Sequence, residues 1–488
     1  MTAENLTAAS EFIPDAARRI AVIGSGPAGV YAADNLARSE GGEALAIDLF
    51  DRYPTPFGLI RYGVAPDHPR IKGIVKALHK VMERDGIRFI GNVDYGTDIT
   101  LEELQRHYDA VVFATGAVDD AALNIEGIDL DGSFGAADFV SWYDGHPDYP
   151  REWPLDATEV AVIGNGNVAL DVARMLSKHA DDLLTTEIPQ NVHEGLKASP
   201  VTDVHVFGRR GPAQVKFTPL ELRELAHSKD VDIVLHPEDF EFDEGSDESI
   251  KSNNQVKTMV NTLTNWLVEQ DEREEDPDHQ PASRRLHLHF LQSPTEILAG
   301  EGEDAGKVAG IRMERQELDG TGNVRGTGEF LDYPVQSVYR AVGYFGSPLA
   351  HVPFDADRGV IPNEAGRVLD EDGAAVPGVY STGWIKRGPV GLIGHTKGDA
   401  METVACLLED LPQLPGRGTA AGDVDVVEVL ESRGVQTTSW AGWLQLDDHE
   451  RGLGEEATAD GPVERERVKI VPREDMVEVS RQSARVTV

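Results

Sequence analysis

Two glycine fingerprints, each set between a short β-branched strand and an apolar helix start, constrain this chain more than any other feature. The first is Ile20-Ala21-Val22-Ile23-Gly24-Ser25-Gly26-Pro27-Ala28-Gly29, and the second is Val160-Ala161-Val162-Ile163-Gly164-Asn165-Gly166-Asn167-Val168-Ala169. The glycines permit a tight turn, close approach of backbone to pyrophosphate, and close packing of helix on strand. The helix N-terminus behind each turn presents free amides and the positive end of its dipole to phosphate. One such fingerprint is a weak signal. Two predict an α/β fold with two Rossmann-like dinucleotide-binding domains and two dinucleotides held for each other, most naturally a flavin and a nicotinamide.

The order of elements predicts one domain interrupted by another. Residues 1–17 are read as a flexible N-terminus. Residues 18–117 supply the first unit, with strands at Ala46–Phe50 and Asp109–Ala114. The second of these exits through Ala114-Thr115-Gly116, small residues that let the backbone run close to a cofactor. Residues 118–345 are read as the inserted second unit, with strands at Asp203–Phe207 and Ser337–Val342 and a helix near Val256–Glu269. Residues 346–415 return to the first unit through the apolar run Gly378–Ser381 and Gly383. The acidic segment 416–488 is expected to pack partly on the first unit through Trp440, Trp443 and Leu444.

Composition narrows the chemistry. A chain of 488 residues with a formal charge of −40 is a poor ligand for nucleic acid or an anionic membrane. The acidity is read as a solubility or salt adaptation. No apolar run reaches membrane-spanning length, and the N-terminus is polar and acidic, so a cytoplasmic location is expected. The one cysteine, Cys406, excludes a Cys-x-x-Cys redox pair, a four-cysteine iron–sulfur cluster and an intrachain disulfide. A basic island survives at Arg70–Lys80, where Ile71, Ile74, Val75 and Leu78 share one helical face and Lys72, Lys76, His79 and Lys80 the other. It reads either as a solvated face or as a docking surface for an acidic protein.

The acid that follows the second strand of a Rossmann unit contacts the adenosine ribose. Asp51 fits that role in the first unit. In the second unit the corresponding strand ends in Gly208-Arg209-Arg210-Gly211. Two guanidiniums suit a 2′-phosphate and an acid would repel it, so NADPH is preferred over NADH.

The run Pro54-Thr55-Pro56-Phe57-Gly58-Leu59-Ile60-Arg61-Tyr62-Gly63-Val64-Ala65-Pro66-Asp67-His68-Pro69 resembles the adrenodoxin-reductase-like ferredoxin–NADP⁺ reductases. The same is true of Val162–Arg174, Gly208–Pro212, Glu221–Leu225 and Gly383–Pro389, and the likeness extends from about Arg19 to Leu408. The resemblance implies an FAD enzyme passing electrons between NADPH and a ferredoxin, which must be a separate protein. It assigns FAD contacts to Ala28, Asp51, Leu59 and Val93, which join the fingerprint glycines Gly24, Gly26 and Gly29 and the strand exit at Gly116, and places Trp384, Gly391, Leu392 and Ile393 beside the flavin ring. It assigns NADP contacts to Asn165, Gly166, Asn167, Val168, Arg209, Arg210, Glu221 and the backbone near Gly391, and sets His68 and Glu224 as a pair near nicotinamide and flavin that assists proton balance. The family usually carries glutamate where Asp51 stands.

Other readings share parts of this pattern. A flavin monooxygenase or a pyridine-nucleotide-linked synthase subunit has the two-fingerprint layout, but the former needs an organic-substrate pocket and the latter N-terminal cysteines. A non-enzymatic NADP-sensing module leaves the first fingerprint and Trp384 without a role.

Overall fold

The computed structural model describes residues 18–391, 393–415, 424–461 and 463–482. The expected flexible N-terminus, residues 1–17, and Leu392 lie outside them.

Strand Arg18–Ile23 is the centre of an eight-stranded sheet. It pairs in parallel with Leu45–Phe50 on one side and Ala110–Phe113 on the other. Ile87–Gly91 extends the sheet beyond Leu45–Phe50, and Ala375–Ser381 extends it beyond Ala110–Phe113. These strands are buried and largely apolar, as in a parallel sheet covered on both sides, with the neighbouring Asp48 and Arg88 paired to each other at 2.7 Å. On one side, helix Pro27–Ala37 buries Ala28, Val30, Ala32, Ala33 and Leu36, and Val404 and Leu407 of helix Ile393–Asp410 join the same core.

The second fingerprint repeats the construction. Strand Glu159–Ile163 sits between Ser337–Arg340 and Asp203–Phe207 in a six-stranded, all-parallel sheet continued by Arg284–His289 and Val231–Leu235. A separate antiparallel sheet, Gln292–Ala299, Val308–Leu318 and Val324–Tyr333, packs over one face. The weakly patterned stretch after Phe240 forms helices Glu244–Ser252 and Asn254–Glu275, the second longer than its periodicity predicts. The first sheet thus takes strands from both sides of the second in sequence.

The C-terminal segment is part of the fold. Thr438–Ser439 pairs antiparallel with the edge strand Ile87–Gly91 and so covers that edge. Trp440 and Trp443, at 3% and 2% exposure, pack edge-on against Phe57.

The basic island departs from expectation. It is two short helices, Pro69–Lys72 and Val75–Met82, joined by a tightened turn in which Ile74 N donates to Ile71 O and Lys76 N to Gly73 O. That turn rotates one helix against the other and carries Lys72 inward. Its ammonium pairs with Glu187 at 2.7 Å and Asp144 at 3.3 Å, so Lys72 leaves the docking set. His79 leaves it as well, stacked on Phe57. Arg70, Lys76 and Lys80 remain exposed.

Candidate functional site: two nucleotide turns and the junction between them

The two glycine turns are built alike. Gly24 has φ +106°, and a Cβ there would lie 2.5 Å from Ala114 O, where the neighbouring strand leaves the sheet. Gly164 has φ +145°, and a Cβ there would lie 2.3 Å from Ala341 O, at the exit of its own neighbouring strand. Each turn is therefore pressed against the backbone beside it, and only glycine fits. Gly116 and Gly166 have no atom within 4 Å of a built Cβ, which leaves space on the side where phosphate belongs.

In the first unit, Asp51 is buried at the end of its strand. It accepts hydrogen bonds from Ser25 N at 2.9 Å, Ser25 Oγ at 2.5 Å and Tyr53 N at 3.0 Å. Burial raises its pKa against those bonds. Asp51 therefore ties the glycine turn to the end of strand Leu45–Phe50. Gly58 comes against Gly26 from the other side, with Leu59 opening the short helix Leu59–Tyr62. Val93 is a core side chain, and its amide donates to Asp51 O.

The late glycine closes this cradle. A Cβ on Gly383 would lie 2.6 Å from the Cβ of Ala28 in the first fingerprint. Gly383 N and Thr382 Oγ1 both donate to Asp399, which also meets Lys386 Nζ at 3.1 Å. Trp384 projects past this anchor, half-buried, with its indole 5.9 Å from the Tyr344 ring. Gly391 is exposed, and of Ile393 only the backbone is described, as the start of helix Ile393–Asp410.

In the second unit the corresponding strand end carries no acid. Arg209 is exposed and Arg210 half-buried, and neither forms an ion pair with a described residue. In a chain with 85 acidic residues, these two adjacent guanidiniums stand without a carboxylate partner among the described residues. They line a cavity of about 380 Å³ together with Arg325, Ser293, Gln316 and Glu314. Arg325 comes from strand Val324–Tyr333 and was not anticipated; nothing in its local sequence marks it.

Between the units lies a buried ionic junction. Arg174, 1% exposed, donates to both oxygens of Asp67 at 2.8 and 2.7 Å, and to Asp171 at 2.8 Å. Lys178 meets Asp67 at 2.9 Å. His68 Nε2 lies 2.8 Å from Asp171 and 2.9 Å from Glu221. Burial lowers the His68 pKa, but the two carboxylates outweigh it and hold the imidazolium up to about 9.

The carboxylate that meets His68 from helix Pro219–Leu225 is Glu221, not Glu224. Glu221 sits at the start of helix Pro219–Leu225, where Thr218 caps its amide, and reaches His68 first. Glu224, one turn on, lies 3.7 Å from His227 instead. Glu221 thus serves the junction, and Asp171 and Arg174 join it from the second fingerprint helix, their signal being that both sit inside the quoted run Val162–Arg174.

A second buried cluster joins the C-terminal segment to both units. Glu450, fully buried, receives the Arg61 guanidinium at 3.1 and 2.5 Å. Lys469 donates to Arg61 O and Asp144 O and pairs with Glu187 at 2.7 Å. Burial lowers Lys469 to about 8 and raises Asp144 to about 6, each against the pull of opposite charges.

Known proteins are similar to this chain over most of its length. Residues 18–255 match the family model described as pyridine nucleotide-disulphide oxidoreductase. The NADPH-ferredoxin reductase FprA of Mycobacterium tuberculosis is 40% identical over 480 residues, covering 94% of this chain and 98% of that protein. The mitochondrial NADPH:adrenodoxin oxidoreductase of Bos taurus is 39% identical, covering 90% and 88%. The solved structure of Mycobacterium tuberculosis FprA in complex with NADPH superposes with a TM-score of 0.83 at 38% identity, covering 95% of this chain and 99% of that one. With its two glycine turns and the ionic junction between them, the chain belongs to the family of NADPH:adrenodoxin and NADPH–ferredoxin reductases.

Proposed function

We propose that this reductase holds FAD on the first glycine turn and NADP(H) on the second, and transfers electrons between NADPH and a ferredoxin. Residues 18–117 and 346–415 make the FAD-binding unit, and residues 118–345 the NADP-binding unit. The observation that carries the nucleotide preference is the unpaired couple Arg209 and Arg210 at the end of strand Asp203–Phe207.

The first unit fits FAD. Gly24, Gly26 and Gly29 form a turn that any Cβ at Gly24 or Gly29 would fill, and Asp51 stands at the ribose end. When bound, FAD accepts a hydride from NADPH as an electron pair and gives it up in single electrons. The protein's part is placement. The N-terminus of helix Pro27–Ala37 faces one pyrophosphate, and that of helix Asn167–Ser177 the other, with Asn165, Gly166, Asn167 and Val168 lining the approach. Trp384, beside the anchored Gly383, would cover the ring of bound FAD and help exclude water there.

His68 acts as a positioning residue with a proton to hold. Paired with Asp171 and Glu221, it stays charged through neutral pH and fixes the second unit against the first. Hydride transfer needs no acid or base from the chain, so loss of His68 alters orientation and pH response rather than abolishing reduction. Glu224, half-buried on the same helix, contributes negative potential near that junction.

Arg70, Lys76 and Lys80 supply the cationic patch for the acidic partner. No helix among the described residues is long and apolar enough to cross a membrane, and a cytoplasmic location agrees with that. Binding of 2′,5′-ADP and 5′-AMP by calorimetry tests the nucleotide site. Preference for 2′,5′-ADP by at least tenfold, lost in Arg209→Ala/Arg210→Ala, supports the reading; equal affinity for the two ligands refutes it.

A further inference from the structure

Four histidines crowd one face of the second sheet, and the nucleotide chemistry uses none of them. His287 and His289 are two residues apart on strand Arg284–His289, so their side chains leave the same face. The parallel register places His205 directly beside His287. His236, at the end of strand Val231–Leu235, stacks on His289 with ring centres 4.2 Å apart. Tyr333 covers the group, 5.1 Å from His289 and 5.9 Å from His205.

The nitrogens converge. His205 Nδ1 and His289 Nε2 are 3.0 Å apart, and one nitrogen from each of His205, His287 and His289 lies within 4.8 Å of the other two. A tetrahedral zinc ion with Zn–N of about 2.0–2.1 Å spaces its ligand nitrogens roughly 3.3 Å apart. Two of the three are therefore already near the spacing of a coordination edge.

The surroundings match a ligand set more closely than a packing ladder requires. His289 is 3% exposed; its Nε2 shares a hydrogen bond with His205 Nδ1, which an ion would replace, and its Nδ1 has no hydrogen-bond partner. His236 Nε2, beside it, is also buried without a partner. His287 Nε2 meets Asp203 Oδ1 at 2.9 Å, which leaves Nδ1 for a ligand and puts a carboxylate behind the imidazole. The rings are nearly parallel, so ligation turns them about Cβ–Cγ, a broad torsion for histidine. His287, with 14% of its side chain exposed, is the entrance.

We propose that His205, His287 and His289 form a binding site for a divalent transition metal of the zinc, nickel or copper class, with the fourth position open to water. The site uses none of the side chains assigned to either nucleotide, although the His289 carbonyl accepts from Gly208 N in the turn that carries Arg209.

The test uses the flavin-loaded protein after chelation and dialysis. It is titrated with Zn²⁺ against a chromophoric chelator and with Co²⁺ for its ligand-field absorption. One Zn²⁺ bound with micromolar or tighter Kd, with cobalt absorption of a tetrahedral or five-coordinate ion, is expected. His287→Gln and His205→Asn should each weaken binding by about 10- to 100-fold. His287→Gln lies at the entrance, so unchanged circular dichroism and unchanged reduction by NADPH separate lost binding from lost folding. Absence of a zinc site of that affinity in the unmodified protein, or equal zinc affinity in the protein and both variants, overturns the proposal.

Discussion

Arg174 grips both oxygens of Asp67, at 2.8 and 2.7 Å, and thereby ties the helix of the second glycine turn to the loop that follows the first. The pair is buried, and the Arg174 charge drives the Asp67 carboxyl far below its usual range against the cost of burial. A flavin and a nicotinamide bound to separate units must meet within contact distance, so the angle between the units is part of the chemistry.

Asp67→Asn should leave a buried guanidinium short of its main partner. The expected loss is about 3–5 kcal/mol of stability. Urea unfolding followed by flavin fluorescence measures it. Stopped-flow bleaching of flavin by NADPH should slow in the same variant while NADPH affinity changes little.

His68 gives the molecule a pH signature with a definite sign. Its folded pKa, about 9, is raised above the unfolded value of about 6.5. The stability it contributes is therefore fully present below pH 6.5 and is lost as pH rises through 9. Melting temperature measured from pH 6 to 10 should fall over that window in the unmodified protein and fall less in His68→Asn.

Arg209→Ala/Arg210→Ala should raise the KM for NADPH by about 10- to 100-fold, as expected for two charge-assisted hydrogen bonds, and leave that for NADH nearly unchanged. Arg325→Ala, which removes the third guanidinium of the same cavity, should act in the same direction and less strongly. Steady-state kinetics with ferricyanide as acceptor reads both.

Charge reversal at Lys76 and Lys80 should weaken reduction of ferredoxin, most at low salt, and spare ferricyanide. Equal loss with both acceptors would place the ferredoxin surface elsewhere.

The architecture was legible because it rests on local constraints. Gly24 and Gly164 announce themselves by sitting between β-branched strands and apolar helices, and Arg209 and Arg210 by ending the strand where an acid belongs. The inward turn of Lys72 was not legible, because it depends on two i→i+3 bonds around Gly73 and on carboxylates far away in sequence, Asp144 and Glu187. The choice of Glu221 over Glu224 as partner of His68 is likewise set by where helix Pro219–Leu225 docks, and one helical turn separates the two. The clamp made by Glu450 and Lys469 lies in a stretch whose charges look like an acidic surface until they are found buried against Arg61 and Glu187.

The most direct measurement is an anaerobic absorbance titration of the purified, FAD-loaded protein with NADPH and with NADH, followed by addition of oxidised ferredoxin. The account predicts that NADPH bleaches the flavin at far lower concentration than NADH, and that ferredoxin restores the yellow form while becoming reduced. A protein that takes up no FAD, or whose flavin is bleached equally by both nucleotides, would contradict it.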